Sequence, residues 1–171
     1  MGYVRRKTTN KDSVLKVKWL PKTSDTPEAI LYFYPIDLKL TGDILIDWGD
    51  GSTERVDYNT TDVVTHLWKD TLEKDIQIFY LPNEPVRPFR FGKNILEFNS
   101  PLPLFHPRNV ADKGDFVGWA CDMRYLKRVA KDFFINNPDI TNLEQAFAGC
   151  LNLTEVPDEL LSPLHRLTNV D

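Results

Sequence analysis

Apolar and polar residues alternate along several short stretches of the N-terminal half of the chain, which is typical of β-strands with one buried face. β-Branched and aromatic residues at 44, 46 and 48 alternate with Asp43, Leu45 and Asp47, and Asp50 and Gly51 then supply the residue types of a tight turn. This pattern predicts a β-hairpin whose return strand covers 52–58. Further strands are predicted at the apolar runs 14–19, 29–34, 63–68 and 76–81.

Turn-forming residues separate these predicted strands, and no helical pattern occurs before residue 92. We therefore expect a small antiparallel β-sandwich over residues 13–92. Three closely spaced prolines, Pro82, Pro85 and Pro88, predict a connector near the end of this domain.

The C-terminal part repeats itself after 27 residues, with units at 117–143 and 144–170. The aligned positions include Leu126 with Leu153, Val129 with Val156, and 141–143 with 168–170. Each unit is predicted to combine a short extended piece with one or two helical turns, at 131–134 and 158–161. Such a unit buries its apolar side only by stacking on a neighbour. The expected fold is therefore mainly β with some α, a sandwich followed by a short α/β repeat array over residues 93–171.

The second unit has no polar capping element, which a stack of repeats normally needs at its end. We expect its apolar residues to be covered by a partner surface or by further chain. The candidate assembly residues at this end are Leu161, Leu167 and Val170.

The run Trp-Gly-Asp-Gly-Ser at 48–52, followed by His66 and Trp68, resembles the hairpin of PKD-like β-sandwich domains. The family's His-Thr-Tyr-like step reads here as His66-Leu67-Trp68, a departure at two of three positions. The resemblance covers roughly residues 14–82. It implies an immunoglobulin-type sandwich and a structural role for the hairpin residues, which are Asp47, Trp48, Gly49, Asp50, Gly51 and His66.

Residues 143–157 resemble the BspA-like leucine-rich repeats of bacterial surface proteins. The family pattern is present in full, at Phe147, Cys150, Leu153, Val156 and Pro157. The first unit departs from it, with Trp119-x-Cys121 and with Ala130 at the proline position. In that family such repeats can accompany a Trp-Gly-Asp-Gly domain, so the two resemblances together imply a leucine-rich-type repeat protein with a β-sandwich head. They do not identify a ligand.

Charge is distributed unevenly, because residues 1–22 hold seven basic side chains and one acidic one while the whole chain has a net charge of −4. The arm at 1–12, with Arg5, Arg6 and Lys7, is either a solvated, flexible terminus or a segment that docks on an acidic surface. Nucleic acid is not the expected partner, because aromatic residues are not interleaved with the basic ones. No apolar signal segment follows within the first 25 residues, which predicts folding in a cytoplasm, and no stretch is long and apolar enough to span a membrane.

The sequence offers little catalytic chemistry. The acidic hairpin has oxygen ligands for Ca²⁺ but not the spacing of an EF-hand, so we expect it to be structural. His66, His106 and His165 lack metal-ligand spacing, and His66 is expected to be a structural strand residue. Cys121 and Cys150 are predicted to be buried thiols. We expect no enzymatic activity, no cofactor and no metal.

The aromatic set of the repeats allows two interpretations, a sugar-binding face or a hydrophobic core, and the spacing favours the core. Its members are Trp119, Tyr125, Phe133 and Phe134.

These features predict a structural protein that binds other subunits, either copies of itself or virion proteins. The leading hypothesis is a phage virion component, such as a capsid decoration protein, a head or tail fibre or a connector, assembled in the host cytoplasm. The first alternative is a bacterial cell-surface adhesin or glycan-binding module. The second is an accessory domain of a carbohydrate-active enzyme.

Overall fold

The structure is a computed structural model that describes residues 14–21, 28–34, 43–57, 59–81, 84–105, 116 and 118–170. These residues contain nine strands: β1 (Val14–Trp19), β2 (Glu28–Phe33), β3 (Ile44–Asp47), β4 (Thr53–Val56), β5 (Val63–His66), β6 (Lys74–Phe79), β7 (Phe89–Phe91), β8 (Ile95–Phe98) and β9 (Arg128–Val129). The six strands predicted from the alternating pattern correspond to β1–β6, with ends shifted by at most about two residues.

The strands form two sheets that share one hydrophobic core. The larger sheet has the order β4-β3-β6-β1-β8-β9, and the smaller has the order β5-β2-β7. Neighbouring strands are antiparallel except for β8 and β9, which run parallel. Aromatic rings join the sheets: the ring centroid of Phe91 in β7 lies 5.6 Å from that of Phe98 in β8.

The larger sheet continues past residue 92, where the sequence pattern predicts the end of the sandwich. β8 pairs with β1, and β9 then pairs with β8 through Glu97–Arg128 and Phe98–Val129. A continuous sheet therefore connects the N-terminal strands to the repeat region. The predicted division near residue 92 stays a prediction.

The repeat region forms two stacked turns of chain, here called the first coil (118–143) and the second coil (144–170). Parallel bridges join them at Arg128–Glu155 and at Asn142–Asn169. Both bridges connect positions 27 residues apart, so the stacking register equals the shift that aligns the two sequence units.

The α part of the predicted fold is wrong, because the described residues contain no helix. The segments 131–136 and 158–163, which include the helical turns predicted at 131–134 and 158–161, consist of hydrogen-bonded turns. In the second of these segments and directly after it, only alternate residues donate to a carbonyl three positions back, as Leu160, Ser162 and Leu164 do. A helix would require every successive N–H group to donate within its own segment.

In the first coil the remaining N–H groups are committed elsewhere. Those of Trp119 and Cys121 bond locally, whereas those of Ala120 and Asp122 donate to the second coil. Left-handed backbone at Asp122, with φ of 61°, also interrupts any helix. At 118–122 alternate amides therefore bind the neighbouring coil, and at 131–137 and 158–164 only alternate amides donate to a carbonyl three positions back.

Candidate functional site

The hairpin tip between β3 and β4 is held by its own carboxylates. The Oδ1 atom of Asp47 accepts from the N–H of Gly49 at 3.0 Å, and the Oδ1 atom of Asp50 accepts from the N–H of Ser52 at 3.0 Å. Gly49 has φ of +73°, and a Cβ atom there would lie 2.7 Å from the carbonyl oxygen of Asp75. Glycine is therefore required at this position by both its backbone angle and its close contact with β6.

His66 packs against this tip from the end of β5. Its Nε2 atom lies 2.9 Å from Oδ2 of Asp50, and its ring stacks on that of Trp48 with centroids 4.6 Å apart. The indole Nε1 of Trp68 donates to the carbonyl oxygen of Trp48 at 3.0 Å. The predicted hairpin residues and His66 thus come together in one hydrogen-bonded, stacked cluster.

The environment of Asp50 keeps its carboxylate ionised. Partial burial raises the pKa, but hydrogen bonds from Ser52 and His66 and the nearby His66 charge outweigh it, and the pKa falls to about 2. A general base that works near neutral pH needs a pKa closer to the working pH. The geometry therefore suits a structural anchor.

The other hairpin carboxylates do not converge on a common point. Asp43 forms an ion pair with Arg55 at 2.6 Å, and Asp57 accepts from the N–H of Asn59 at 3.0 Å. Among the described residues, no three His, Cys, Asp or Glu side chains are grouped closely enough to hold a metal ion.

The aromatic set of the repeats lies mostly in the core. Trp119, Phe133 and Phe134 are at most 3% exposed, and the indole of Trp119 donates to the carbonyl oxygen of Phe89 at 2.8 Å. Tyr125 is 41% exposed. The core interpretation is therefore confirmed for three of the four rings, which are not available to stack on a sugar.

The cysteines are free and half-buried, which is less buried than predicted. Burial raises the pKa of the Cys150 thiol to about 11, and its Sγ atom contacts the carbonyl oxygen of Ala120 at 3.1 Å. Such a thiol is a poor nucleophile at neutral pH. His165 is exposed, and His106 lies outside the described residues.

The side of the second coil that faces away from the first forms an apolar groove of about 570 Å³. We call this surface the open face. Its main apolar residues are Phe147, Val156, Leu161 and Val170, and the one charged residue in its lining is Asp158. Two of the predicted assembly residues, Leu161 and Val170, thus share a surface. The third, Leu167, is half-buried against the core, and Arg5, Arg6 and Lys7 lie outside the described residues.

Several repeat positions that are buried in the first coil are exposed in the second. Val129 is 1% exposed, whereas Val156, one period later, is 53% exposed. Phe134 and Leu161 differ in the same way, at 1% and 43%. On the first coil, the corresponding surface is covered by the second coil. The open face is the same surface on the second coil, where it is exposed. Sequence reasoning missed Val156, although the 27-residue alignment with Val129 carries the signal.

Comparison with known proteins finds no matching family model, no matching curated protein and no matching solved structure. Within the described part of the chain, no helix is long and apolar enough to cross a membrane. Functional inference therefore depends on the geometry and chemistry of the chain itself.

Proposed function

We propose that this protein is a non-enzymatic structural protein that binds other protein subunits through the open face. The observation that carries the proposal is the contrast between equivalent repeat positions. Val129, Phe134 and Leu143 are buried, whereas Val156, Leu161 and Val170 are between 43% and 59% exposed. A cluster of exposed apolar side chains in a groove marks an interaction surface more often than a freely solvated one.

A rigid support for that face also favours a role in assembly. The continuous sheet fixes the first coil through β9, and the stacked cluster of His66, Trp48 and Asp50 fixes the hairpin at the opposite side of the same sheet. A surface that is supported through the first coil by packed strands loses little conformational entropy when a partner binds.

The class of assembly that we propose is a phage particle, in which this chain is a decoration protein, fibre or connector. The charge of the N-terminal arm supports this proposal, since Arg5, Arg6 and Lys7 offer a second, electrostatic contact to an acidic subunit. The resemblances to PKD-like domains and to BspA-like repeats fit a protein that holds surfaces together. Protein is the favoured partner over glycan, because Trp119 and its neighbouring rings are in the core.

Co-sedimentation with particles tests the proposed function. Phage particles assembled in cells that express the chain are purified on a density gradient, and the chain is detected by immunoblot. We expect it in the particle fraction, and we expect Leu161→Glu to move most of it to the soluble fraction. Leu72→Glu is the matched control, because Leu72 is 69% exposed in the turn before β6, outside the groove. Recovery of the unmodified chain only at the top of the gradient would refute the proposal.

A further inference from the structure

The two coils are joined by a regular set of backbone hydrogen bonds. Three N–H groups on alternate residues of the first coil donate to three carbonyl groups on alternate residues of the second. These pairs are Gly118 to Glu144 at 3.0 Å, Ala120 to Ala146 at 2.8 Å, and Asp122 to Ala148 at 2.7 Å. In return, the carbonyl groups of Lys127 and Thr141 accept from N–H groups of the second coil.

The second coil presents the same groups one period later. Among the described residues, the N–H groups of Gln145, Phe147 and Gly149 have no hydrogen-bond acceptor, and the carbonyls of Thr154 and Thr168 receive no backbone donor. The backbone angles are also repeated. Gly118 and Gln145 have φ of 60° and 53°, and Asp122 and Gly149 have φ of 61° and 74°.

We propose that the open face holds a further coil of the same kind, contributed by a partner polypeptide. This inference rests on the proposed function and identifies its partner's chemistry. The partner segment runs parallel to 145–149 and presents carbonyl groups on alternate residues to the three N–H groups. Its own N–H groups bond Thr154 and Thr168, and its apolar side chains cover Val156, Leu161 and Val170. An unpaired row of backbone groups beside an apolar groove is the usual template for adding a chain segment.

Charge identifies the partner further. The second coil carries four carboxylates, at Glu144, Glu155, Asp158 and Glu159, and a single guanidinium, at Arg166. That guanidinium is already directed to Asp139 of the first coil at 3.3 Å. Of these carboxylates, Asp158 lines the open face. A partner coil rich in Lys and Arg complements the net negative charge of the second coil, whereas a second copy of this chain would bring two acidic coils together. The proposed occupant is therefore a basic polypeptide segment rather than a second copy of this chain.

A coil appended to the chain tests whether the face accepts one. A second copy of residues 145–170, carrying Glu155→Lys, Asp158→Lys and Glu159→Lys so that it is basic, is added directly after Asp171, which keeps the 27-residue register. The control carries the same 26 residues in scrambled order. The added copy brings the full effective concentration of an intramolecular contact. We expect amide hydrogen exchange at Gln145, Phe147 and Gly149 to slow at least about tenfold relative to the scrambled control. Equal exchange in the two extended chains would overturn the inference.

The same extended chain tests whether the segment that occupies the open face belongs to the particle. If a partner uses the open face, the appended coil blocks it, and the extended chain is lost from particles that retain the scrambled control. Retention of both extended chains would overturn the inference and the assignment of binding to the open face, since the particle would then bind another surface. Association with particles is tested separately, by co-sedimentation of the unmodified chain. Light scattering of the unmodified chain tests whether the occupant is a second copy of this chain. We expect a monomer, and a dimer that Leu161→Glu dissociates and Leu72→Glu does not would show that the occupant is a second copy.

Discussion

The Nε2 atom of His66 lies 2.9 Å from the Oδ2 atom of Asp50, sixteen residues earlier in the chain. His66 ends β5 of the smaller sheet, and Asp50 occupies the hairpin tip of the larger sheet. This one contact therefore ties the two sheets together, and the stacked ring of Trp48 fixes its geometry.

Lowering the pH should weaken the contact between Asp50 and His66. The pKa of Asp50 is about 2 in the folded protein, against an ordinary value of 3.8. The contribution of the ionised Asp50 side chain to the free energy of unfolding is therefore complete above about pH 4, and it is lost as the pH falls towards 2. After allowance for solvent screening we expect it to contribute about 1 kcal/mol. Urea denaturation at a series of pH values, for the natural chain and for Asp50→Asn, measures the contribution.

Asp50→Asn keeps the shape of the side chain and removes the titrating charge. The variant should be less stable than the natural chain at pH 6, and the difference should shrink between pH 4 and pH 2. A constant difference over that range would mean that the charge of Asp50 does not stabilise the folded state.

Arg87 should matter much more to stability than its acidic partner. Its side chain is nearly buried, and it donates to the carbonyl oxygens of Tyr34 at 2.6 Å and Thr61 at 3.2 Å and to Asp62 at 2.8 Å. Arg87→Ala removes a charged donor from these part-buried carbonyl groups, so we expect a loss of about 2–3 kcal/mol in the free energy of unfolding. The Asp62 side chain is 82% exposed, and Asp62→Ala should cost less than about 1 kcal/mol.

Chemical denaturation of the two variants separates the contributions. Similar losses would contradict the assignment, because they would place the stabilisation in the ion pair rather than in the backbone carbonyls.

Gln145 and Gly149 both have left-handed backbone, and we expect substitutions at these two positions to change the free energy of unfolding in opposite directions. Gln145 has φ of 53°, at the repeat position where the first coil has Gly118. Gln145→Gly relieves this conformation and should raise the free energy of unfolding, by up to about 1 kcal/mol. Gly149→Ala should lower it by about 2 kcal/mol or more, because φ is +74° and the new Cβ atom would lie 2.6 Å from Oδ1 of Asp122.

Gly51→Ala is the matched control for the contact. Its φ is +88°, but no atom lies within 4 Å of the added Cβ. Thermal unfolding should therefore show a smaller loss for Gly51→Ala than for Gly149→Ala. Equal losses would attribute the whole effect to backbone conformation.

The parts of this fold that depend on neighbours in sequence were predictable, and the parts that depend on distant backbone were not. Alternation up to Trp48 and the turn residues Asp50 and Gly51 determine the hairpin locally. The apolar spacing of 158–161 suits a helical turn equally well, but the structure has turns there in which only alternate N–H groups donate to a carbonyl three positions back. The 27-residue repeat can be recognised in the sequence, but the direction in which each backbone N–H group points cannot.

The difference in burial between equivalent positions of the two coils also depends on distant parts of the chain. Val129 and Val156 are the same residue type at the same repeat position, so local sequence predicts the same environment for both. They differ because one has a coil stacked over it and the other does not. The open face could therefore be predicted from the number of repeats, but its hydrogen-bond donors could be identified only from the backbone.

Asn137 provides a final test, of how the first coil holds the segment that precedes it. Its Oδ1 atom accepts from the N–H of Phe105 at 3.0 Å, and its Nδ2 atom donates to the carbonyl oxygen of Pro103 at 2.9 Å. The side chain is buried, and the equivalent position of the second coil is Leu164, which is also buried. Leucine therefore fits the repeat, and the amide is needed for its two contacts.

Asn137→Leu should lower the free energy of unfolding by about 2 kcal/mol, because two buried backbone groups lose their partners. Amide exchange at Phe105 should accelerate by more than tenfold, while amides of the β3–β4 hairpin should change only as far as global stability does. The exposed Asn152 also bonds a backbone carbonyl, that of Arg124, and Asn152→Ala is the control, expected to cost less than about 1 kcal/mol. If Asn137→Leu is neutral and Phe105 stays protected, apolar packing alone holds the segment, and the amide contacts do not contribute to stability.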